Sequence, residues 1–187
     1  MRGPALRRRQ PLTQDRERLK EQIRQAFASA QRPPNGSLSG SGEGDEGKLL
    51  EEEFADKHDW RALDADFLDR APSQYASALS FFSDEALGYF LPAYLIADLD
   101  GRLDRVDLPF RLTIGFTNQA KATPLNPQRY GDLTRFDAAK QRFSKLTPEE
   151  AAAVAAYLEH KLATYEFDGS EIEQALRNYW RPAALRS

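Results

Sequence analysis

LSFFSDEALGYFLPAYLIADL, residues 79–99, is the only segment of this chain that is apolar on nearly every side. Ser83 is placed to cap a helix whose first turn carries Asp84 and Glu85, the sign that the positive end of a helix dipole favours. From Ala86 to Ala97 only Gly88 and Pro92 interrupt the apolar and aromatic side chains. A helix without a polar face belongs in the middle of a fold or in a membrane. Over residues 84–99 it would be about 24 Å long at 1.5 Å per residue. That is short for a bilayer, and the internal proline and the acids at both ends argue further against a span. The expected architecture is therefore all-α: a single irregular helical domain packed around a central apolar helix at about 84–99, kinked at Pro92. Pro92 cannot donate to the carbonyl of Gly88 and its ring crowds that carbonyl. A tyrosine hydroxyl or tryptophan N–H is the expected donor to the freed oxygen.

Toward the N-terminus the chain reads as polar. Residues 1–11, with Arg7, Arg8 and Arg9 between two prolines, are expected to be disordered. A basic cluster without interleaved aromatics is no nucleic-acid reader. An amphipathic helix is expected from about Thr13 to Ala30, with Leu12, Leu19, Ile23, Ala26 and Phe27 on one stripe, and Pro33-Pro34-Asn35-Gly36 stops it. Residues 33–47 hold two prolines, five glycines and three serines and read as a flexible linker. Gly42 to Lys48 matches two phosphate-loop patterns in letters only. Glu43, Asp45 and Glu46 would repel phosphate, Leu49 replaces the hydroxyl residue, and no strand precedes.

An acidic helix is expected at about 48–57 with Leu49, Leu50 and Phe54 inward, then turns in which Asp59 caps Trp60 and Leu63. Asp100-Gly101 ends the central helix. Residues 103–117 suit a helix better than a strand pair, since their neighbours are helical, and 118–129 read as loop. The spacing of Asp98, Asp100, Asp104 and Asp107 misplaces the glycine and the oxygens of a calcium loop. Further helices are expected at about 133–146, after the capping box Thr147-Pro-Glu-Glu150, and after a second box at Ser170. The last of these ends at Pro182, leaving 182–187 as a disordered tail and 12–181 as the domain.

The chain has 187 residues, a net charge of −3, two histidines and no cysteine. Cysteine chemistry is thereby excluded, and the composition suits a reducing, cytoplasmic setting with no secretory signal and no membrane span. His58 and His160 lack the spacing that puts two metal ligands on one helix face, so no metal and no cofactor is expected. No serine-hydrolase motif is present. Charge is uneven: residues 1–24 carry eight bases and three acids, and residues 43–69 carry eleven acids and three bases. With no catalytic signature, the asymmetry favours a small intracellular binding or interaction protein that presents its acidic surface, 43–69, to a basic protein partner. Glu51, Glu52, Asp56 and Asp59 are the candidate contacts, and an immunity-type protein that neutralises a toxin is one concrete form. The alternatives are an unmarked acid–base or metal-assisted enzyme using His58, Asp59 and Trp60 against the aromatic helix, and a self-associating structural subunit. A pocket, if built, is expected beside the proline, among Trp60, Tyr89, Pro92, Tyr94, Tyr179 and Trp180.

Several of these pieces together resemble a family of uncharacterised bacterial proteins, a domain of unknown function. They are Asp59-Trp60-x-x-Leu63, Ala78-Leu79-Ser80-Phe81-Phe82-Ser83-x-Glu85-Ala86, Tyr89-x-Leu91-Pro92-Ala93-Tyr94-Leu95-Ile96-Ala97, Leu146-Thr147-Pro148-Glu149-Glu150 and Ala175-Leu176-x-x-Tyr179-Trp180. The resemblance spans about residues 13–181. It implies a one-domain helical fold and brings no catalytic residue or cofactor with it.

Overall fold

The computed structural model describes residues 9–40, 45–72, 78–164 and 169–186. It is an all-α single domain; among the described residues the only β features are two isolated bridges, Ser39 to Phe82 and Pro124 to Thr134. In chain order the helices are α1 (Arg9–Ala26), α2 (Asp45–Phe54), α3 (Ala65–Arg70), α4 (Asp84–Leu99), α5 (Leu108–Thr113), α6 (Asn118–Ala122), α7 (Pro127–Tyr130), α8 (Arg135–Arg142), α9 (Pro148–Thr164), α10 (Ser170–Ala175) and α11 (Arg181–Ala184). Short 3₁₀ turns sit at Trp60–Ala62, Ala78–Ser80 and Ile114–Phe116.

The apolar segment forms α4, and α1, α3, α5 and the Trp60 turn pack on it. Phe90, Leu91, Tyr94 and Leu95 are fully buried. Ser83 caps it as its sequence demands, accepting from the amide of Ala86 at 3.2 Å. Gly101, at φ 68°, closes it, with the amide of Arg102 reaching back to the carbonyl of Ala97 at 3.0 Å. α4 is helical throughout, with Pro92 inside it. Among the described tyrosines and tryptophans of the aromatic set, none donates to the Gly88 carbonyl. The hydroxyl of Tyr89 donates to His58 O (2.6 Å) and that of Tyr179 to Phe143 O (3.1 Å), while the indole of Trp180 donates to Leu112 O (2.8 Å). Among the described residues Tyr94 Oη and Trp60 Nε1 are buried without a partner.

At its far end α4 presents two carboxylates where the helix dipole is negative, an unfavourable placement that neighbouring cations offset. Asp98 accepts from Tyr157 Oη (2.6 Å) and Lys161 Nζ (2.9 Å) of α9. Lys20 of α1 donates to Asp100 at 2.8 Å, and Arg16 donates to the carbonyl of Leu99 at 3.3 Å. Burial works to lower the Lys20 pKa, but its hydrogen bonds to Asp100 and Glu17 outweigh that and hold it above its ordinary value. These bonds clamp α1 and α9 to the end of α4.

Residues 33–40, the described part of the glycine-rich linker before α2, make specific contacts with the rest of the fold. Residues 41–44, which include the first positions of the phosphate-loop patterns, lie outside the described residues, as do 1–8 of the basic terminus. Residues 9–11, expected to be disordered, already belong to α1. Within 33–40, Leu38 is fully buried. Gly40 N donates to Phe81 O and Ser83 N to Leu38 O, each at 2.7 Å. α2 then starts at Asp45, so the last linker residues are its first turn, with Asp45 and Glu46 at the end that favours acids.

The region expected to be loop, 118–129, holds two short helices. Thr117 caps α6 through the amide of Ala120 (3.1 Å), and Asn126 caps α7 through that of Gln128 (3.1 Å), with Pro127 at the first helical position. These side-chain caps are the physical reason that proline-rich sequence coils here. Of residues 103–117, expected as helix, 108–116 are helical and 103–107 are not, and α8 opens with a capping box of Thr134 and Asp137. The Thr147–Glu150 box forms, with Glu150 N donating to Thr147 Oγ1 (3.2 Å) and Thr147 N to Glu150 Oε2 (2.8 Å). The second box does not: Gly169 occupies the N-cap of α10 and Ser170 is already helical.

Nor does Pro182 end the last helix. Residues 176–180 make a π-turn in which the amide of Arg181 bonds to the carbonyl of Leu176. The wider turn accommodates the missing amide of Pro182, and α11 continues to Ala184 with Ala183 buried against the core. The expected disordered tail at 182–187 is therefore helix through 184, with Arg186 donating to Tyr179 Oη at 3.1 Å.

Candidate functional site

The acidic segment is largely engaged by its own chain. Glu51 reaches across the 36–39 loop and accepts from the amides of Gly36 (2.8 Å), Leu38 (2.6 Å) and Ser39 (2.8 Å). Asp59 caps its turn through the amide of Arg61 at 2.9 Å. Asp64 and Asp66 pair with Arg102 at 3.2 and 3.4 Å. Asp69 accepts from the amides of Arg105 (2.8 Å) and Val106 (3.2 Å). Asp56 pairs with its neighbour Lys57, which pulls its carboxyl below the ordinary range. Glu52 is exposed on α2. Of the four proposed contacts, Glu51 and Asp59 are thus structural caps.

The aromatic residues expected to share one pocket are divided between two clusters. Phe54, Phe67, Phe82, Tyr89 and Phe90 form one around the N-terminal half of α4, with ring centroids 4.9–5.0 Å apart. Phe116, Phe136, Phe143, Tyr179 and Trp180 form the other, in which Tyr179 stacks on Phe116 at 4.1 Å. Trp60 lies apart beneath Arg61, whose guanidinium is 4.7 Å from its ring. Pro92 is buried within α4, and burial pushes the Tyr94 phenol far above its ordinary pKa, with Arg111 opposing. Trp60 lines one small cleft and Tyr179 a separate open one; these residues do not converge.

The histidines do not converge either. His58 is exposed, and its backbone carbonyl accepts from Tyr89. His160 sits on α9, where burial and then the charges of Lys161 and Arg16 hold its imidazole below its ordinary pKa. Among the described residues no group of three or more His, Cys, Asp or Glu is disposed to hold a metal ion. No helix among them is long and apolar enough to cross a membrane.

A different feature is built by three elements. Between α4, α5 with its 3₁₀ extension, and α8 lies a cleft of about 390 Å³, within the range of about 300–1,000 Å³ that small-molecule sites occupy. Leu91 of α4, Leu112 of α5 and Phe116 of the 3₁₀ turn form its buried wall. Phe110 and Ile114, 48% and 39% exposed, stand one helical turn apart at its mouth. Gly115 lets the wall close on α8: a Cβ there would lie 2.5 Å from Cβ of Ala139, closer than such atoms approach.

Two guanidinium groups border this cleft. Arg142 is ion-paired and turned inward, donating to Phe82 O (2.7 Å), Leu79 O (2.8 Å) and Asp84 Oδ1 (3.1 Å). Burial lowers its pKa and Asp84 opposes that. Arg111 is exposed and donates to the hydroxyl of Ser80, which also lines the cleft. Chemically the cleft can bury an apolar body and offer donors at its edge; it contains no acid among its lining residues. The sequence signal for it is faint: Phe110 and Ile114 are apolar like Leu91, and only their exposure in the fold distinguishes them.

The arrangement defines a single-domain all-α protein with a buried central helix and an apolar cleft on one flank of it. The chain belongs to the family of unknown function DUF6714, whose family model matches residues 15–184. No curated protein and no solved structure matches it.

Proposed function

We propose that this is a binding protein whose ligand seat is the apolar cleft between α4, α5 and α8. One observation carries the reading: Phe110 and Ile114 stay exposed at the mouth of a cavity lined by apolar side chains. Large apolar groups held in water beside an apolar hollow are the ordinary mark of an interaction site. The lack of cysteine fits a reducing, cytoplasmic setting.

The test is a titration of the intact protein with neutral apolar fragments such as indole and cyclohexanol, followed by NMR. Resonances of Leu79, Phe110 and Ile114 are expected to shift, and Ala138→Trp, which fills the half-open wall, is expected to abolish the shifts while leaving the spectrum folded. A panel that moves no resonance around the cleft would defeat the reading.

The same two exposed side chains favour a second reading, a self-associating subunit, which gel filtration of the purified chain as a monomer would exclude. The acidic-surface reading, with a basic protein partner and an immunity-type role as its concrete form, retains Asp45, Glu46 and Glu52 as exposed acids on α2. A pull-down that retains no partner at low ionic strength would remove it.

A further inference from the structure

We infer that the ligand of this cleft is an amphipathic monocarboxylate, its head group held by Arg111 and its apolar tail laid along the buried wall. The inference rests on the cleft being a binding site and adds the chemistry of what it holds. Two guanidinium groups lie on the cleft, and they differ in what they have left to give. Arg142 is bound to two carbonyls and to Asp84. Arg111 has no carboxylate oxygen of the described residues within ion-pair distance, and its partner is the hydroxyl of Ser80. A guanidinium offers five N–H donors in a planar fork, and a serine that accepts one of them still has its own O–H to donate. The cleft edge is therefore rich in donors and, without any aspartate or glutamate in its lining, poor in acceptors.

A ligand that completes it must bring acceptors. The planar, forked geometry of a carboxylate matches a guanidinium bidentately, and one uncommitted cation calls for one negative charge. The remaining lining is almost wholly aliphatic and aromatic, with Leu79, Leu87, Leu91, Leu108 and Phe143 completing the apolar surface. That surface rewards methylene groups and penalises further polarity. Arg111 and Phe110 are adjacent on α5, so head group and tail meet the same helix at the mouth.

The experiment compares octanoate, 1-octanol and octylamine, all below their aggregation limits, on wild-type protein and on Arg111→Gln and Arg111→Lys. Arg111 is exposed, so both variants are expected to fold, which circular dichroism checks. Wild type is expected to bind octanoate at least about tenfold more tightly than octanol, the effect of a charge-assisted hydrogen bond. Arg111→Gln is expected to erase that ratio by weakening octanoate and leaving octanol unchanged, and Arg111→Lys to keep part of it. From hexanoate upward, affinity is expected to rise about fourfold per methylene until the tail fills the cleft. Equal binding of octanoate and octanol by wild type, or a ratio that survives Arg111→Gln, overturns the inference while leaving the cleft as a site. Preference for octylamine overturns it as well. Failure of all three compounds, together with the neutral fragments above, instead overturns the cleft reading itself.

Discussion

Oε1 of Glu51 lies 2.6 Å from the amide nitrogen of Leu38, and the same carboxylate accepts from Gly36 and Ser39. One acidic side chain thus supplies the acceptors for a loop that has no regular structure of its own, and so fixes Leu38 in the core. Glu51→Ala removes the carboxylate acceptor of three amides and is expected to cost about 3 kcal/mol, with Glu51→Gln costing about half of that. Glu52→Ala, one residue on and exposed, is expected to stay within about 0.5 kcal/mol. Urea denaturation of the three variants checks the contrast, and equal losses at 51 and 52 would contradict it.

Gly115 packs directly against Ala139 of α8 at the edge of the cleft. Gly115→Ala places two methyl carbons 2.5 Å apart and is expected to destabilise by about 1–3 kcal/mol through overpacking. Ala139→Gly alone is expected to cost about 1 kcal/mol, the usual penalty for glycine in a helix. The double variant should be more stable than the sum of the two losses predicts, because the second change removes the clash created by the first. Additive losses would mean that the contact is not what makes glycine necessary.

Asp98 joins α4 to α9 through Tyr157 and Lys161. Its side chain is 11% exposed and that of Lys161 22%, so removing the carboxylate charge leaves a poorly solvated ammonium. Asp98→Asn is expected to cost about 2–3 kcal/mol and Tyr157→Phe about 1 kcal/mol, with the double variant losing less than their sum. Thermal unfolding of the cycle measures the coupling.

Glu150 provides the pH dependence. Burial raises its pKa above the ordinary value of 4.5, and its hydrogen bonds with Thr147 only partly oppose that. The folded state therefore holds the proton more tightly than the unfolded chain does. Its stabilising contribution is complete below the ordinary glutamate value and declines as pH rises through the elevated folded value. Glu150→Gln keeps a side-chain acceptor for the Thr147 amide and removes the titration. Its stability relative to wild type is expected to improve as pH rises from 4.5, as measured by denaturation at a series of pH values. A constant difference would show that the carboxyl does not titrate differently on folding.

The sequence by itself determined what depends on neighbours within about one helical turn. Composition alone made residues 84–99 the core helix, because no face of it could be left in water. Ser83, Gly101 and the Thr147–Glu150 pair ended and started helices as written, since each bond spans only a few residues. Tertiary structure decided the rest. Glu51 reads as a solvent-facing acid until the loop 12 to 15 residues away folds onto it. Ser170 fails as a cap because Gly169 takes the position, and Pro182 fails to end a helix because a π-turn absorbs its missing amide. The cleft is the clearest case. Phe110 and Leu112 have the same apolar character in sequence, yet the packing of α10 and α4 on α5 leaves one 48% exposed and buries the other. Apolar character is a property of a residue; which side of it faces water is set by elements brought together from distant parts of the chain.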